Sequence, residues 1–172
     1  MSKDKGSQNF GGETMQIKPA DLILVKGTDW ISDTIKDVEK SPYSHLAGLV
    51  KDSELIEAQG FKRTGYQALG NYTGSADVFT CDIATDEQRR EMVSRIIQAC
   101  GKPLLAFPFA LGIYPVRDWD SSPYDPGPNR ICSTLWIEDA YRAVGIDLCP
   151  GIKYPSPADV AQSRLLRKVG SF

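Results

Sequence analysis

Two short apolar runs on either side of a polar turn constrain the fold of this chain more than any other feature of its sequence. The runs are residues 45–50 and 54–58, and the turn between them is Lys51-Asp52-Ser53. Runs of this length around a polar turn are typical of a β-hairpin. Residues 22–25 form a further apolar run and predict another strand. The chain is therefore expected to build a small antiparallel sheet.

Four further segments space their apolar residues as an amphipathic helix does. These segments follow Thr28 or Asp29, the capping-box pair Thr85 and Gln88, Cys132, and the pair Ser156-Pro157. A strand over residues 76–83 precedes the second helix, and its apolar side ends at Ile83. The last helix is predicted to run past Leu165 to Val169. This order of elements indicates an α+β fold in which helices pack against the sheet.

The length of 172 residues fits one domain with a core of its own. Residues 16–172 are expected to form this domain, and the polar, glycine-containing residues 1–15 a flexible N-terminal leader. The leader lacks the apolar stretch of a secretory signal, and no run approaches the roughly 20 apolar residues of a membrane span. The predicted location is the cytoplasm, although export by a route without a signal peptide stays open.

The charge of the chain argues against a nucleic-acid partner. The formal net charge is −2, and the basic residues are scattered along the sequence. Domains that bind nucleic acid usually concentrate lysine and arginine in a patch or stripe. The basic residues here, Arg89 and Arg142 among them, are instead expected on the solvated faces of helices.

The four cysteines contain one candidate for chemistry. They form no CxxC pair, and with a single histidine in the chain they do not give the spacing of a zinc site, so no metal or cofactor is expected. Cys81 and Cys100 lie on the apolar sides of a predicted strand and helix, where cysteine usually packs as a small core residue. Cys149 precedes Pro150 in a loop and has no evident role. Cys132 differs from the others by its position.

Cys132 falls in the first turn of the third predicted helix. At that position the unpaired backbone N–H groups and the positive end of the helix dipole favour a thiolate. Trp136 and Ala140 follow it at intervals of four residues, so the thiol is predicted on the face that packs against the sheet. Glu138 and Arg142 are expected on the opposite, solvent-facing side. From these residues alone, a nucleophilic role and simple core packing both stay open.

His45 is the only histidine of the chain and stands at the start of a predicted strand. It is the candidate general base, and the alternative is a hydrogen-bonded structural histidine. Glu57 on the returning strand is the candidate to orient the imidazole, and the alternative is a residue at the edge of the sheet that faces water. A three-residue hairpin loop would place Glu57 on the face of His45, and a two-residue loop would place it on the other face.

A long loop precedes the third helix. Residues 103–130 combine six prolines with an aromatic-rich sequence that includes Phe107, Phe109 and Trp119. A loop of this length inside a compact domain is more often functional than a plain connection. It is therefore expected to act as a lid or as a wall of the site.

Several segments carry a resemblance to a known family. They are residues 19–25 (PADLILV), 43–50 (YSHLAGLV), 55–58 (LIEA) and 131–136 (ICSTLW), followed by residues 154–160 (YPSPADV). Together, and in this order, they resemble the circularly permuted branch of the NlpC/p60 papain-like superfamily over residues 17–169. In that branch the histidine strand precedes the cysteine helix, as it does here, and a permutation preserves a site that is defined by geometry. The resemblance implies a papain-like fold with Cys132 as nucleophile at a helix N-terminus, His45 as general base and Glu57 as the orienting acid.

The resemblance also implies an activity. It points to a cysteine-dependent hydrolase, an amidase, peptidase or acyl hydrolase, which works through a thioester acyl-enzyme without a cofactor. Tyr114 and Tyr124 are the candidates for the phenol that helps to bind the substrate and its oxyanion. The acyl substrate is expected to be a peptide, another small molecule or a lipid-like compound. Two alternatives stay open, namely a catalytically silent binding or structural domain of the same fold and a lipid acyltransferase.

Overall fold

The fold is built on a six-stranded sheet, in a computed structural model that describes residues 8–10, 13–28, 32–33, 36–37, 40–58, 64–101, 133–152 and 155–172. The strands are β1 (Gln8–Phe10), β2 (Glu13–Met15), β3 (Leu22–Val25), β4 (His45–Lys51), β5 (Glu54–Glu57), β6 (Gly65–Ala68), β7 (Ala76–Cys81) and β8 (Leu166–Ser171). The helices with described bounds are α1 (Asp86–Gln98), α2 (Ser133–Arg142) and α3 (Pro157–Ala161), with a 3-10 turn at Leu69–Tyr72.

The six strands of the main sheet follow the order β6-β5-β4-β3-β7-β8, and every neighbouring pair is antiparallel. β1 and β2 pair with each other in a separate two-stranded sheet. The prediction of an α+β fold around an antiparallel sheet is confirmed at this level. The sheet is larger than predicted because β6 and β8 form its two edges.

The face of the sheet that carries Leu46 and Val50 is covered by α1 and α2 and is called here the helical core. Met92 and Ile96 of α1 are fully buried in it, as the apolar spacing of that helix predicts. The helix comes close at Gly48, where a Cβ atom would lie 2.9 Å from the Ile96 Cδ1 atom. Because burial of one aliphatic side chain contributes about 1.5–3 kcal/mol, this layer is a main source of stability.

The other face of the sheet has an apolar layer of its own, called here the second core. Ile23 and Ala47 lie in it, and Phe172 and Met15 pack against them. Met15 comes so close to β8 that a Cβ atom on Gly170 would lie 2.8 Å from its sulfur. The residues expected to form a flexible leader therefore contain a hairpin that ends on the second core.

Arg89 is buried, so the prediction that it lies on a solvated helix face is wrong. Its guanidinium donates to Asp21 Oδ1 at 2.8 Å, to the Thr80 hydroxyl at 3.0 Å and to the Cys81 carbonyl oxygen at 2.7 Å. Asp21 has no exposed surface, and burial raises its pKa in spite of these partners. Helical spacing could not reveal the arrangement because the partner carboxylate is 68 residues away along the chain. The ion pair joins α1 to Asp21, the residue before β3, and the other two hydrogen bonds join α1 to β7.

Two predicted elements end earlier than expected. β7 stops at Cys81, and Ile83, which was predicted on its apolar side, is 61% exposed. α3 begins after Ser156 as predicted but stops at Ala161. The predicted continuation of that helix to Val169 is wrong, because residues 166–171 form β8 and pair with β7.

The remaining helix predictions agree with the structure where it describes them. α1 begins at the predicted capping box of Thr85 and Gln88. Gly101 and Gly145 follow α1 and α2 with φ angles of 82° and 84°, values that suit a residue without a side chain. The helix predicted after Thr28 is described only at residues 32–33 and 36–37, which are helical. None of the helices within the described ranges is long and apolar enough to cross a membrane.

Candidate active site

His45 and Glu57 form a hydrogen-bonded pair at one end of the sheet. Nε2 of His45 lies 2.8 Å from Oε2 of Glu57. Only 2% of the Glu57 side chain is exposed, whereas 21% of the His45 side chain is exposed. The structure therefore brings together the two residues that the sequence predicts as base and orienting acid.

The hairpin turn alone would not bring this pair together. The turn has two residues between Lys51 and Glu54, which pair directly. Continued without interruption, that pairing would set Glu57 opposite Gly48. Gly48 and His45 are three residues apart and lie on opposite faces, because side chains alternate along a strand. A two-residue turn by itself would thus separate the carboxylate from the imidazole.

A β-bulge in β4 restores the shared face. The register shifts around Val50, so that Leu49 pairs with Leu55. One inserted residue exchanges the two faces for every residue beyond it, which is the effect that a third loop residue would have had. Glu57 consequently lies on the face of His45. The register that the sequence leaves open is therefore set by an irregularity inside the strand.

The start of β4 is held by contacts with the end of β3. The N–H of Ser44 donates to the carbonyl oxygen of Val25 at 3.0 Å, and the N–H of Gly27 donates to the Ser44 hydroxyl at 3.1 Å. A Cβ atom on Gly27 would lie 2.9 Å from that hydroxyl and 2.1 Å from the hydroxyl oxygen of Ser32, so a larger residue does not fit. These contacts fix the backbone directly before His45. Gly27, which follows the apolar run 22–25, is the sequence signal for these contacts.

The bond to Glu57 determines which imidazole nitrogen is available for chemistry. A carboxylate only accepts hydrogen bonds, so the neutral imidazole that donates to Glu57 carries its proton on Nε2. Nδ1 then has a lone pair and can accept a proton from a neighbouring group. The carboxylate also stabilises the imidazolium that forms when Nδ1 is protonated.

Cys132 lies outside the described residues, and its role stays a prediction. α2, which begins at the next residue, packs against β4, the strand that starts with His45. Trp136 and Ala140 are buried in the helical core, which agrees with the predicted inward stripe of this helix. α2 and β4 thus share the helical core.

His45 and α2 lie on different faces of the sheet. His45 pairs with Val25 and alternates with Leu46, so its side chain is on the face of the second core. α2 covers the opposite face. His45 is the first residue of β4, and its side chain is partly exposed there.

The predicted substrate-binding residues Tyr114 and Tyr124 lie outside the described residues, together with the whole loop 103–130. Tyr43 is a described tyrosine close to His45 in sequence. Its hydroxyl donates to Asp77 Oδ2 at 2.6 Å, and burial together with this carboxylate raises its pKa. Because the Tyr43 hydroxyl is already engaged, it does not supply the phenol that the resemblance implies.

The three cysteines that the structure describes are shielded. Cys81 and Cys149 are buried, and Cys100 is partly buried. Burial raises the pKa of each of these thiols, that of Cys149 to about 12. The thiolate is the reactive form, so a raised pKa makes each of them a poor nucleophile at neutral pH. The packing roles predicted for Cys81 and Cys100 agree with this environment.

Glu138 is buried, so the prediction that it faces solvent is wrong, and Arg142 beside it is half-buried. Glu138 Oε1 accepts the N–H of Leu148 at 3.0 Å and that of Cys149 at 3.3 Å. Burial, with the nearby carboxyl of Asp147, raises the pKa of Glu138 to about 7. The loop after α2 folds back onto the helix, which the spacing of residues within the helix could not show.

The described residues do not assemble a metal site. Within these ranges no group of three or more histidine, cysteine, aspartate or glutamate side chains is arranged to hold a metal ion. His45 and Glu57 contribute two side chains of the type that binds metals. A closed structural site usually needs four protein ligands and a catalytic zinc site three.

Comparison with known proteins gives a likeness in fold. No model of a known protein family matches the chain, and no curated protein matches it. Among solved structures, it is similar to the crystal structure of the metalloprotein yiiX from Escherichia coli O157:H7 (DUF1105). The TM-score is 0.66 and the identity 16%, over 90% of this chain and 97% of that chain. At this identity the likeness shows a shared α+β fold and does not show a shared activity or a shared ligand.

Proposed function

We propose that the chain is a cysteine-dependent hydrolase of the permuted NlpC/p60 papain-like type, with Cys132 as nucleophile, His45 as general base and Glu57 as the residue that orients it. The observation that carries the proposal is the 2.8 Å hydrogen bond between His45 Nε2 and Glu57 Oε2. It gives the only histidine of the chain a buried carboxylate partner and leaves Nδ1 as the basic atom. α2, which begins at the residue after Cys132, packs against β4, the strand that begins with His45.

The proposed reaction is acyl transfer to sulfur followed by hydrolysis. Nδ1 of His45 takes the proton of the Cys132 thiol while the sulfur forms a bond to the carbonyl carbon of an amide or ester. Backbone N–H groups at the start of α2, with Tyr114 or Tyr124, donate to the oxyanion. The bond to the leaving group then breaks, and the imidazolium gives its proton to the departing amine or alcohol. Water, deprotonated by the same nitrogen, cleaves the thioester and restores the thiol.

The other thiols support the choice of Cys132. Cys81, Cys100 and Cys149 each have a raised pKa because burial disfavours the thiolate. Helix N-termini have the opposite effect and favour a thiolate. A reactive cysteine in this chain is therefore expected at position 132.

Iodoacetamide labelling as a function of pH tests the proposal, with mass spectrometry to identify the modified cysteine. We expect Cys132 to label fastest near pH 6, ahead of the three shielded cysteines, and His45→Ala to slow that labelling. The matched control is Cys100→Ser, which removes a thiol that the proposal does not use. Selective labelling would justify a screen of peptide, small-molecule and lipid-like acyl substrates.

The same experiment separates the alternatives. If Cys132 labels only as the pH rises past about 8.5, the pKa of an ordinary thiol, the thiol is not activated and a silent binding or structural domain is the better description. If Cys132 is activated, product analysis with an added amine or alcohol acceptor distinguishes a hydrolase from a lipid acyltransferase, because only the transferase forms the acylated acceptor.

The similar crystal structure is that of a protein described as a metalloprotein, so metal binding requires a separate test of fit. In the described part of this chain, the pair His45 and Glu57 has no third side chain of a ligating type arranged around it. These residues do not by themselves fit a metal ion, and the proposed reaction has no step that depends on one.

A further inference from the structure

Asp77 is a buried carboxylate with three polar or charged partners. Its side chain is 1% exposed. Oδ1 lies 2.9 Å from the Lys26 ammonium, and Oδ2 lies 2.9 Å from the Lys168 ammonium and 2.6 Å from the Tyr43 hydroxyl. The four side chains are called here the Asp77 cluster. Burial alone would raise the pKa of Asp77, but hydrogen bonds from these partners hold it well below its usual range, so the carboxylate is ionised at neutral pH.

The Asp77 cluster lies at the end of the sheet where the strand of the candidate base begins. Val25, the last residue of β3, pairs with His45 on one side and with Ala76 on the other. Neighbouring strands are about 4.8 Å apart, so the backbones of His45 and Ala76 are about 10 Å apart. Asp77 directly follows Ala76, and Tyr43 lies two residues before His45. The cluster is therefore linked to His45 by short paths through the backbone.

Tyr43 connects the cluster to His45 through a single intervening residue. Its ring packs edge-on against Phe79, with ring centroids 6.0 Å apart, and its hydroxyl donates to Asp77. Ser44, the intervening residue, donates its N–H to the last carbonyl oxygen of β3 at 3.0 Å. The backbone before His45 is thus held at Ser44 by β3 and at Tyr43 by β7.

The contact between His45 and Glu57 depends on how β4 begins. The register of β4 on β5 is defined from Gly48 to Lys51, so His45 lies three residues outside it. His45 takes its position instead from its pairing with β3 and from the residues before it. A hydrogen bond weakens steeply when its geometry departs from the usual range. A small displacement at the start of β4 would therefore weaken the bond from Nε2 to Glu57.

The hydrogen bond between Tyr43 and Asp77 does not change with pH in the neutral range. The pKa of Asp77 is lowered, and that of Tyr43 is raised by burial and by the carboxylate beside it. Both changes move the pKa further from neutral pH, because the ordinary values are about 4 and 10. An imidazole gains and loses its proton between these values. The bond is therefore present in both protonation states of His45.

We propose that Asp77 and Tyr43 are positioning residues for His45: the carboxylate holds the Tyr43 hydroxyl, and this contact fixes the start of β4 so that the imidazole donates from Nε2 and keeps Nδ1 as its basic atom. The inference rests on the proposed function, in which His45 is the base, and it does not depend on Cys132. In a purely structural role the same contact would stabilise the sheet without any effect on the tautomer of His45.

Selective 15N labelling of histidine tests the inference, because the only imidazole signals then come from His45. At about pH 9 an imidazole is neutral, and its two 15N shifts report the ratio of the Nε2-protonated to the Nδ1-protonated tautomer. We expect this ratio to fall about 10-fold in Tyr43→Phe, the effect of one lost hydrogen bond of ordinary strength. Asp77→Asn keeps an acceptor oxygen without the charge, so a smaller fall is expected. Circular dichroism establishes folding, and Asp77→Asn carries the test if Tyr43→Phe does not fold.

Two control variants separate position from stability and from charge. Thr80→Val removes a hydroxyl that donates to another buried carboxylate, Asp21, at the same distance of 2.6 Å but at the opposite end of β3. It should lower the urea midpoint, as Tyr43→Phe does, and leave the tautomer ratio unchanged. Lys168→Met removes a positive charge beside Asp77 and keeps the Tyr43 hydroxyl, so it should also leave the ratio unchanged.

The outcomes separate this inference from the proposed function. If Tyr43→Phe and Thr80→Val both lower the midpoint and neither changes the ratio, the cluster has only a structural role and the inference is wrong. If Lys168→Met lowers the ratio as much as Tyr43→Phe does, the effect is one of charge and the inference is again wrong. If the wild type itself is a mixture of tautomers, the assignment of His45 in the proposed function fails, and the inference fails with it.

Discussion

Replacing Glu138 with glutamine is expected to remove a pH dependence from the stability of this chain. The pKa of Glu138 is raised from 4.5 to about 7, first by burial and then by the neighbouring Asp147, against the lowering effects of Arg142 and the Cys149 N–H. Glutamine keeps an oxygen that can accept the N–H groups of Leu148 and Cys149. It cannot ionise, so it reproduces the protonated acid at every pH.

The sign of the effect follows from the direction of this pKa change. The folded chain binds the Glu138 proton more tightly than the unfolded chain, in which the pKa is near 4.5. Its contribution to stability is therefore fully present below pH 4.5 and is lost as the pH rises through about 7. At 1.36 kcal/mol for each pKa unit, linkage gives a loss on the order of 2–3 kcal/mol between pH 5 and pH 8.

Urea unfolding of wild type and Glu138→Gln, followed by circular dichroism from pH 5 to pH 8, measures this loss. The difference between the two proteins isolates Glu138 from other groups that titrate in the same range. We expect the wild type to lose stability relative to the variant as the pH rises. Asp147→Asn is the second variant, and it should reduce the wild-type loss because it removes a negative charge beside the carboxyl. Parallel curves for wild type and Glu138→Gln would refute the reasoning.

Three further substitutions test the fold and the site. Arg89→Leu should cost about 3–5 kcal/mol of unfolding free energy because it leaves Asp21 buried without its cation, and adding Asp21→Asn should recover part of this cost in urea titrations. Gly48→Ala should cost about 1 kcal/mol because the new Cβ atom meets Ile96 Cδ1, and the cost should shrink in an Ile96→Val background that lacks this atom. Glu57→Gln should convert the single Nε2-protonated tautomer of the only histidine into a mixture, because an amide both donates and accepts. An imidazole 15N NMR spectrum that is the same in both proteins would contradict the assigned hydrogen bond.

Local patterns in the sequence predict the centre of the fold well. The hairpin of β4 and β5 and the capping box of α1 depend on residues that are close along the chain, and both are present. β8 was missed because residues 160, 165 and 169 also satisfy a helical spacing. Its strand conformation depends on pairing with β7, which lies some 90 residues earlier in the sequence, and such long-range pairing overrides local preference.

The candidate site was predictable in its residue types but not in its geometry. A single histidine before an apolar strand and a glutamate within the returning strand identify His45 and Glu57. Their contact depends on the bulge at Val50, and no residue type in the turn predicts this bulge. The exposure of Glu138 was predicted wrongly for a related reason. The backbone N–H groups that it accepts come from the loop after its helix, and the spacing of residues within the helix gives no sign of that loop.

The choice of a carboxylate as the partner of His45 is itself an argument for chemistry. A histidine that only stabilises a fold is satisfied by a neutral acceptor such as a backbone carbonyl, which is inexpensive to bury. Only 2% of the Glu57 side chain is exposed, and burying an ionised carboxylate costs stability. What a carboxylate adds is stabilisation of the imidazolium, the state that exists only after the base has taken a proton. A general base needs that property, and a structural histidine does not.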